Sequence, residues 1–268
     1  MPAKMPRLLS IAGSDPSGGA GVQADLKTFS AFGCYGMAAI TALTAQNTRG
    51  VIAAYPVAPE IVAAQIEAVL SDIPPDAIKI GMLATPDIAR AVAETLARHE
   101  ARNIVLDPVL VPTLGVSLAS DWLETALIAN MMPLARLTTP NLYEASALTQ
   151  TPLATDADEL AAQARRLCDL GARAVLATGG DLAGEPIDVL FESGEKRIFR
   201  GRRIATRNTH GTGCALSSAI ACELAKGAPL IDAIATAKVW LEGALEAGDA
   251  LHLGEGRGPP HHFFALWR

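Results

Sequence analysis

Apolar residues fall in short, nearly unbroken runs, and the stretches between them repeat with a helical period. Residues 8–12, 77–83, 104–109 and 174–178 are such runs. The first and last stop at glycine and the third meets Asp107-Pro108, as strands buried on both faces do. Residues 35–44 and 51–57 predict two more strands, and 137–139 a short one. Between them the pattern predicts helices over 22–32, 59–71, 85–99, 121–130, 156–170 and 229–245. Pro59 opens one of these helices, and Thr85-Pro86-Asp87 gives another an N-cap, an N1 proline and an early acid. Leu160, Ala164, Leu167 and Leu170 make the clearest apolar stripe, with Gly171 as C-cap. Residues 188–192, 196–200 and 203–206 predict antiparallel hairpin strands. Repeated strand–helix alternation predicts an α/β protein with a mostly parallel central sheet and helices on both faces. No linker, repeat or low-complexity segment interrupts it, so one domain over residues 1–268 is expected.

The breaks between apolar runs carry the candidate chemistry. Asn208-Thr209-His210-Gly211-Thr212-Gly213-Cys214 is polar and glycine-broken, and a small-residue helix follows. A helix start leaves backbone N–H groups unpaired and partly positive, so Gly211, Thr212 and Gly213 predict an anion cradle. Cys214 stands where a helix N-terminus lowers a thiol's pKa, which would make it a base. A Gly-rich turn into a buried helix, with Cys214 inert, fits the same residues. The loop 13–21 carries four glycines between a strand and a helix, a common ligand site in α/β proteins. It matches neither a phosphate-binding P-loop nor a dinucleotide fingerprint. Asp107 ends a buried strand at the edge where parallel sheets bind ligands. Gln46 and Asn47 follow a buried strand and could read a heterocycle's edge, although such amides also serve as turn residues. Lys79 is an unexpected charge within an apolar run. His261-His262 lies in a stretch expected to be solvated coil.

Composition narrows the partners. The formal charge of −6 argues against general nucleic-acid binding, so positive potential at a phosphate site has to be local. The four cysteines have no paired or ligand-like spacing, which predicts reduced thiols in a cytoplasmic protein. The uncharged stretch 28–48 is nearly long enough to span a membrane, but its glycines and polar residues predict a helix end plus a strand. No membrane association is expected.

Taken in order, Ile11-Ala12-Gly13-Ser14-Asp15, Ser17-Gly18-Gly19-Ala20-Gly21, Gln23-Ala24-Asp25-Leu26-Lys27-Thr28, Thr41-Ala42-Leu43-Thr44-Ala45-Gln46-Asn47-Thr48, Lys79-Ile80-Gly81-Met82, Asp107-Pro108-Val109, Thr139-Pro140-Asn141-Leu142 with Glu144, and the 208–214 stretch resemble the bacterial hydroxymethylpyrimidine/phosphomethylpyrimidine kinases of the ribokinase-like superfamily. The resemblance runs along essentially the whole chain. It implies a three-layer α/β/α sandwich. It also implies phosphorylation by ATP, with Mg²⁺, of 4-amino-5-hydroxymethyl-2-methylpyrimidine and then of its monophosphate, in thiamine biosynthesis. By the same resemblance Gln46 pairs with the pyrimidine edge, and Gly13, Ala20, Thr44, Met82 and Val109 wall the pocket. Gly211, Thr212 and Gly213 form the anion hole and Cys214 is the catalytic base. Asn141, Thr178, Thr209 and Lys238 serve the nucleotide, and Asp107 and Glu144 the metal. A homodimer is implied as well. Thr178 stands where the family often carries lysine, Asp181 where it carries histidine, and residues 111–115 depart from its small Ser/Gly-rich loop. A pyridoxal kinase of the same fold and a non-catalytic pyrimidine-binding protein are the alternatives.

Overall fold

The computed structural model describes residues 5–110 and 122–267. In chain order the elements are β1 (Arg7–Ser14), α1 (Gly21–Ala31), β2 (Tyr35–Asn47), β3 (Gly50–Pro56), α2 (Pro59–Asp72), β4 (Ala77–Ile80), α3 (Pro86–Arg98), β5 (Ile104–Leu106), α4 (Leu123–Ala126), β6 (Leu137–Thr138), α5 (Leu142–Thr149), α6 (Ala157–Asp169), β7 (Ala174–Gly179), β8 (Ile187–Glu192), β9 (Glu195–Arg200), α7 (Thr212–Ala225) and α8 (Leu230–Glu246). The strands form one sheet in the order β3-β2-β1-β4-β5-β6-β7-β8-β9. From β2 across to β7 each neighbouring pair is parallel, and antiparallel hairpins finish both edges.

The continuous apolar runs follow from this layering. Leu9, Ile11, Ile78, Ile80 and Leu106 face α2, α3 and α6, whereas Leu8, Ala77 and Val105 face α1, α7 and α8. Alternate residues of each strand are therefore buried on opposite sides, so neither face needs polar positions. The carboxyl ends of β1, β4, β5, β6 and β7 all open at one edge. Chain direction reverses there, since β2 and β4 flank β1 on opposite sides, and ligands of open α/β sheets bind in such crevices.

Several expectations need correction. Residues 203–206 form no strand. Arg203 instead turns across the 180–184 loop, and its guanidinium donates to the carbonyls of Gly180 at 2.6 Å, Leu182 at 2.6 Å and Gly184 at 2.9 Å. The helix expected over 121–130 begins at Leu123 and widens into a π turn over Leu127–Met131; residue 121 lies outside the described residues. The expectation for residues 111–115 also lies outside them. His262 is buried rather than solvated, against Trp240 with ring centroids 6.3 Å apart. Helix α5 was not anticipated, although its start carries a sequence signature. Asn141 Oδ1 accepts from the Tyr143 and Glu144 N–H groups, and Glu144 accepts from the Asn141 N–H, a reciprocal capping box.

Candidate active site

A cleft of about 680 Å³ opens at the carboxyl edge of the sheet, and every residue that the family resemblance assigned to substrate, nucleotide, metal or catalysis lines it. Asn47 does not, and instead accepts from the Arg49 N–H at 2.8 Å as a turn residue. Gly13 and Ala20 come from the β1–α1 loop, Thr44 and Gln46 from the end of β2, Met82 from beyond β4, and Asp107 and Val109 from beyond β5. Asn141 and Glu144 come from the start of α5, Thr178 from β7, Lys238 from α8, and Thr209 to Cys214 from the start of α7. Residues far apart in the chain meet because parallel strands deliver their ends to one edge.

The α7 start is shaped by backbone sterics. Gly211 is its N-cap at φ +78°, and a Cβ there would lie 1.9 Å from the Gly19 carbonyl oxygen, so only glycine lets the two loops close together. Of the first-turn N–H groups, that of Thr212 donates to the Thr209 carbonyl at 3.4 Å, whereas those of Gly213 and Cys214 have no intrahelical partner in a turn that lines the cleft beside Asp107. Thr212 is tied back locally, its hydroxyl donating to the Thr209 carbonyl at 3.2 Å.

Beneath this turn lies a buried charge network. Lys79, fully buried, reaches Asp25 at 2.9 Å and Asp107 at 3.8 Å. Ser10 and Ser218 donate to Asp25 at 2.5 and 2.8 Å, and Ser217 donates to Asp107 at 3.3 Å. Burial disfavours a charged Lys79, but Asp25, Cys214 and Asp107 outweigh it and hold the ammonium well above its ordinary value. The expectation of a low-pKa Cys214 is corrected. Surrounding protein pushes its thiol up to about 12; the Lys79 charge opposes this, while Asp107 and Asp25 reinforce it. The helix terminus is outweighed first by desolvation of the thiolate and then by the charge of Asp107, to which the thiol hydrogen-bonds.

Asp107 and Glu144 are both buried. Desolvation raises each, Glu144 well above the ordinary carboxylate range, and the nearby Asp107 charge raises Glu144 further. Two buried carboxylates that line one cleft and feel each other's charge suit a hard divalent cation that takes its other ligands from phosphate and water. Among the described residues no three His, Cys, Asp or Glu side chains converge as a closed cage, and a Mg²⁺ site shared with substrate phosphates does not require one.

Positive charge at the cleft is richer than the sequence reading expected. Lys238 is ion-paired with Asp188, and Arg207 and Arg257, both exposed, also line the cleft. Sequence reasoning also missed Asp15 and His210. Asp15 is buried and accepts from the N–H groups of Ser17 at 2.8 Å and Ala20 at 2.9 Å and from the Ser17 hydroxyl at 2.7 Å. Its signal is local, an Asp followed by Pro-Ser-Gly-Gly, which is turn chemistry. Burial raises Asp15, but hydrogen bonds from His210 and Ser17 bring it below its ordinary value.

The family profile described as phosphomethylpyrimidine kinase matches residues 15–261. A hydroxymethylpyrimidine/phosphomethylpyrimidine kinase of Rhizobium meliloti is 51% identical over 261 residues, covering 97% of this chain and 98% of its own. The fold superposes on the ADP complex of Bacillus subtilis pyridoxal kinase with a TM-score of 0.91 at 36% identity, over 99% of this chain and 100% of that one. It superposes on the Clostridium difficile phosphomethylpyrimidine kinase with a TM-score of 0.78 at 40% identity, over 89% and 98%. These are ribokinase-like α/β folds. Profile, full-length identity and shared architecture agree, and the chain belongs to the phosphomethylpyrimidine kinase family.

Proposed function

We propose that this chain transfers the γ-phosphoryl group of ATP to the hydroxymethyl group of 4-amino-5-hydroxymethyl-2-methylpyrimidine, and then a second phosphoryl group to the monophosphate, in thiamine biosynthesis. The observation that carries this reading is that the Gln46 amide and the anion-binding start of α7 share one cleft. Gln46 reads the heterocycle edge, with Gly13, Ala20, Thr44, Met82 and Val109 as pocket wall. The N–H groups of Gly211 to Cys214 face the charge that develops during transfer, and such preorganised donors dominate catalysis of this class.

Cys214 is the base. Because its thiol rests neutral, it takes the substrate's hydroxyl proton only after losing its own proton to water in the open cleft. Lys79 favours the thiolate so formed. Asp107 and Glu144 would hold Mg²⁺, which neutralises phosphate oxygens when bound. Asn141, by capping α5, fixes Glu144; Thr178, Thr209 and Lys238 lie toward the nucleotide, with Arg207 and Arg257 supplying charge.

One kinase domain working as a homodimer completes the reading. Leu43 and Tyr55 are cross-strand partners on the β2–β3 edge hairpin, and with Ile52 they are exposed, an apolar patch suited to a second copy. The four free thiols support a reducing, cytoplasmic setting. A pyridoxal activity is the second reading, favoured by the likeness to the Bacillus subtilis enzyme. An ATP-coupled assay with hydroxymethylpyrimidine, its monophosphate and pyridoxal side by side tests both. Turnover of both pyrimidines well above pyridoxal is expected, and pyridoxal as the better substrate would overturn the assignment.

A further inference from the structure

His210 Nε2 lies 2.8 Å from Asp15 Oδ2 and 3.1 Å from the terminal amide of Gln46. Asp15 accepts from Ser17, Gly19 and Ala20 as well, so it is a carboxylate with no proton to give. The hydrogen between Asp15 and His210 therefore belongs to Nε2, in either protonation state of the ring. An Nε2–H cannot accept from an amide NH2. Nε2 carries one hydrogen, held mainly by Asp15, and only the Gln46 carbonyl oxygen can share it as the longer arm of a three-centre contact; an NH2 there would set N–H against N–H. The other end of the amide gives the same answer. Thr44 has a single hydroxyl hydrogen, and the Ser14 carbonyl takes it at 2.9 Å. The Gln46 atom 3.2 Å from that hydroxyl must then be a donor, which is the NH2. With Gln46 Nε2 toward His210 and Oε1 toward Thr44 both contacts would be mismatched, so the hydrogen-bond partners assign the amide the other way round.

We propose that His210 is a specificity-determining positioning residue: held by Asp15, it turns the Gln46 carbonyl toward itself and the Gln46 NH2 toward Thr44, and so dictates which way round a heterocycle must lie. This rests on the pyrimidine reading of the cleft. The oriented amide keeps one N–H and one carbonyl lone pair for a ligand. It pairs with an edge whose ring nitrogen accepts on the Thr44 side and whose amino group donates on the His210 side. In the aminopyrimidine, the hydroxymethyl group sits on the carbon next to the amino-bearing one. An amino group on the His210 side therefore turns the hydroxymethyl toward Gly211 and the start of α7. The opposite amide orientation would turn the ring over and carry the hydroxymethyl away. His210 is itself fixed, its N–H donating to the Gly258 carbonyl at 3.0 Å and its ring lying against Gly19, where a Cβ would meet Cδ2 at 2.4 Å.

The test compares the aminopyrimidine with its 4-oxo counterpart, which has nearly the same shape but carries an accepting oxygen in place of the donating amino group. Dissociation constants are measured by calorimetry without ATP. Wild-type protein should prefer the amino compound by about 10²–10⁴-fold, as sites that leave buried polar groups mismatched do. His210→Phe keeps the ring and removes the donor, so Gln46 can turn; the preference should fall below about tenfold, mainly through tighter binding of the oxo compound. His210→Gln retains an N–H donor and should stay within about threefold of the wild-type preference. A folded His210→Phe protein with the wild-type preference overturns the inference. So does a His210→Gln protein that loses the preference as completely as His210→Phe. Should His210→Phe not fold, Thr44→Val releases the other end of the amide. A preference at least fivefold lower supports the inference, and an unchanged one overturns it. Wild-type protein that binds neither heterocycle would instead refute the pyrimidine reading, and this inference with it.

Discussion

Replacing Lys79 by methionine keeps the length of the side chain and removes one buried charge. Lys79 has no solvent exposure and lies 2.9 Å from Asp25, which is equally buried. The substitution leaves Asp25 with its two serine donors and no cation. An uncompensated buried charge of this kind costs about 3–5 kcal/mol, which in a chain of this size is roughly 6–10 °C in Tm. The ammonium is held charged well above the ordinary lysine value of 10.5, so its contribution is fully present below that pH and fades only in stronger alkali. Urea unfolding at neutral pH therefore measures all of it. Adding Asp25→Asn removes the stranded charge, and the double variant should recover to within about 1–2 kcal/mol of wild type, because the two residues are coupled rather than additive. Turnover should not recover with it, since the Lys79 charge beneath Cys214 is still missing. Additive losses in the double variant would refute the coupling. Restored turnover would refute the role of Lys79 at the thiol.

The other predictions are more local. Cys214→Ala should lower kcat by roughly 10²–10⁴-fold in the coupled assay with little change in pyrimidine affinity by calorimetry, and near-normal turnover would reduce Cys214 to packing. Burial, helped by Lys27 and His261, pushes His262 down to about 4. It stays neutral in the fold while the unfolded chain protonates near 6.5, so stability should fall as pH drops from about 6.5 to 4, by up to about 3 kcal/mol. His262→Phe should flatten that part of a Tm–pH profile, and an unaltered profile would count against the assignment. Thr178→Lys should raise metal-free ATP affinity only a few-fold, because Lys238 is already paired and Arg207 and Arg257 already line the cleft; titration of ATP with and without Mg²⁺ measures it.

How much of this was legible in the sequence depended on whether the cause was local. The strand runs are apolar because the sheet is covered on both faces, and Thr85 caps α3 through its own hydroxyl at 3.2 Å from the Ile88 nitrogen; both can be read within a few residues. The Asn141–Glu144 pair is equally local, because it is the capping box that starts α5 as well as part of the cleft. Residues 203–206 failed for the opposite reason. Their strand-like pattern was outcompeted by Arg203, whose guanidinium fills the orphaned carbonyls of a loop some twenty residues earlier. Lys79 was visible as an anomaly but not as an answer, since Asp25 lies 54 positions away.

The site itself divides along the same line. Glycines at 211 and 213 and a cysteine at 214 announce a helix start, and that much is a statement about backbone. What happens to the thiol depends on burial and on Asp107 and Asp25, which together reverse the expected shift against the opposing charge of Lys79. Gln46 announces an amide at the end of a strand. Which end of that amide faces the ligand is decided by His210, 164 residues on, and His210 is decided by Asp15, 195 residues back. The two loops can bring these groups together only because Gly211 packs against the Gly19 carbonyl and the His210 ring against Gly19 itself. The glycines that read as a phosphate cradle therefore also serve as the hinge of closest approach between the loop that orders the substrate edge and the helix that receives its hydroxyl.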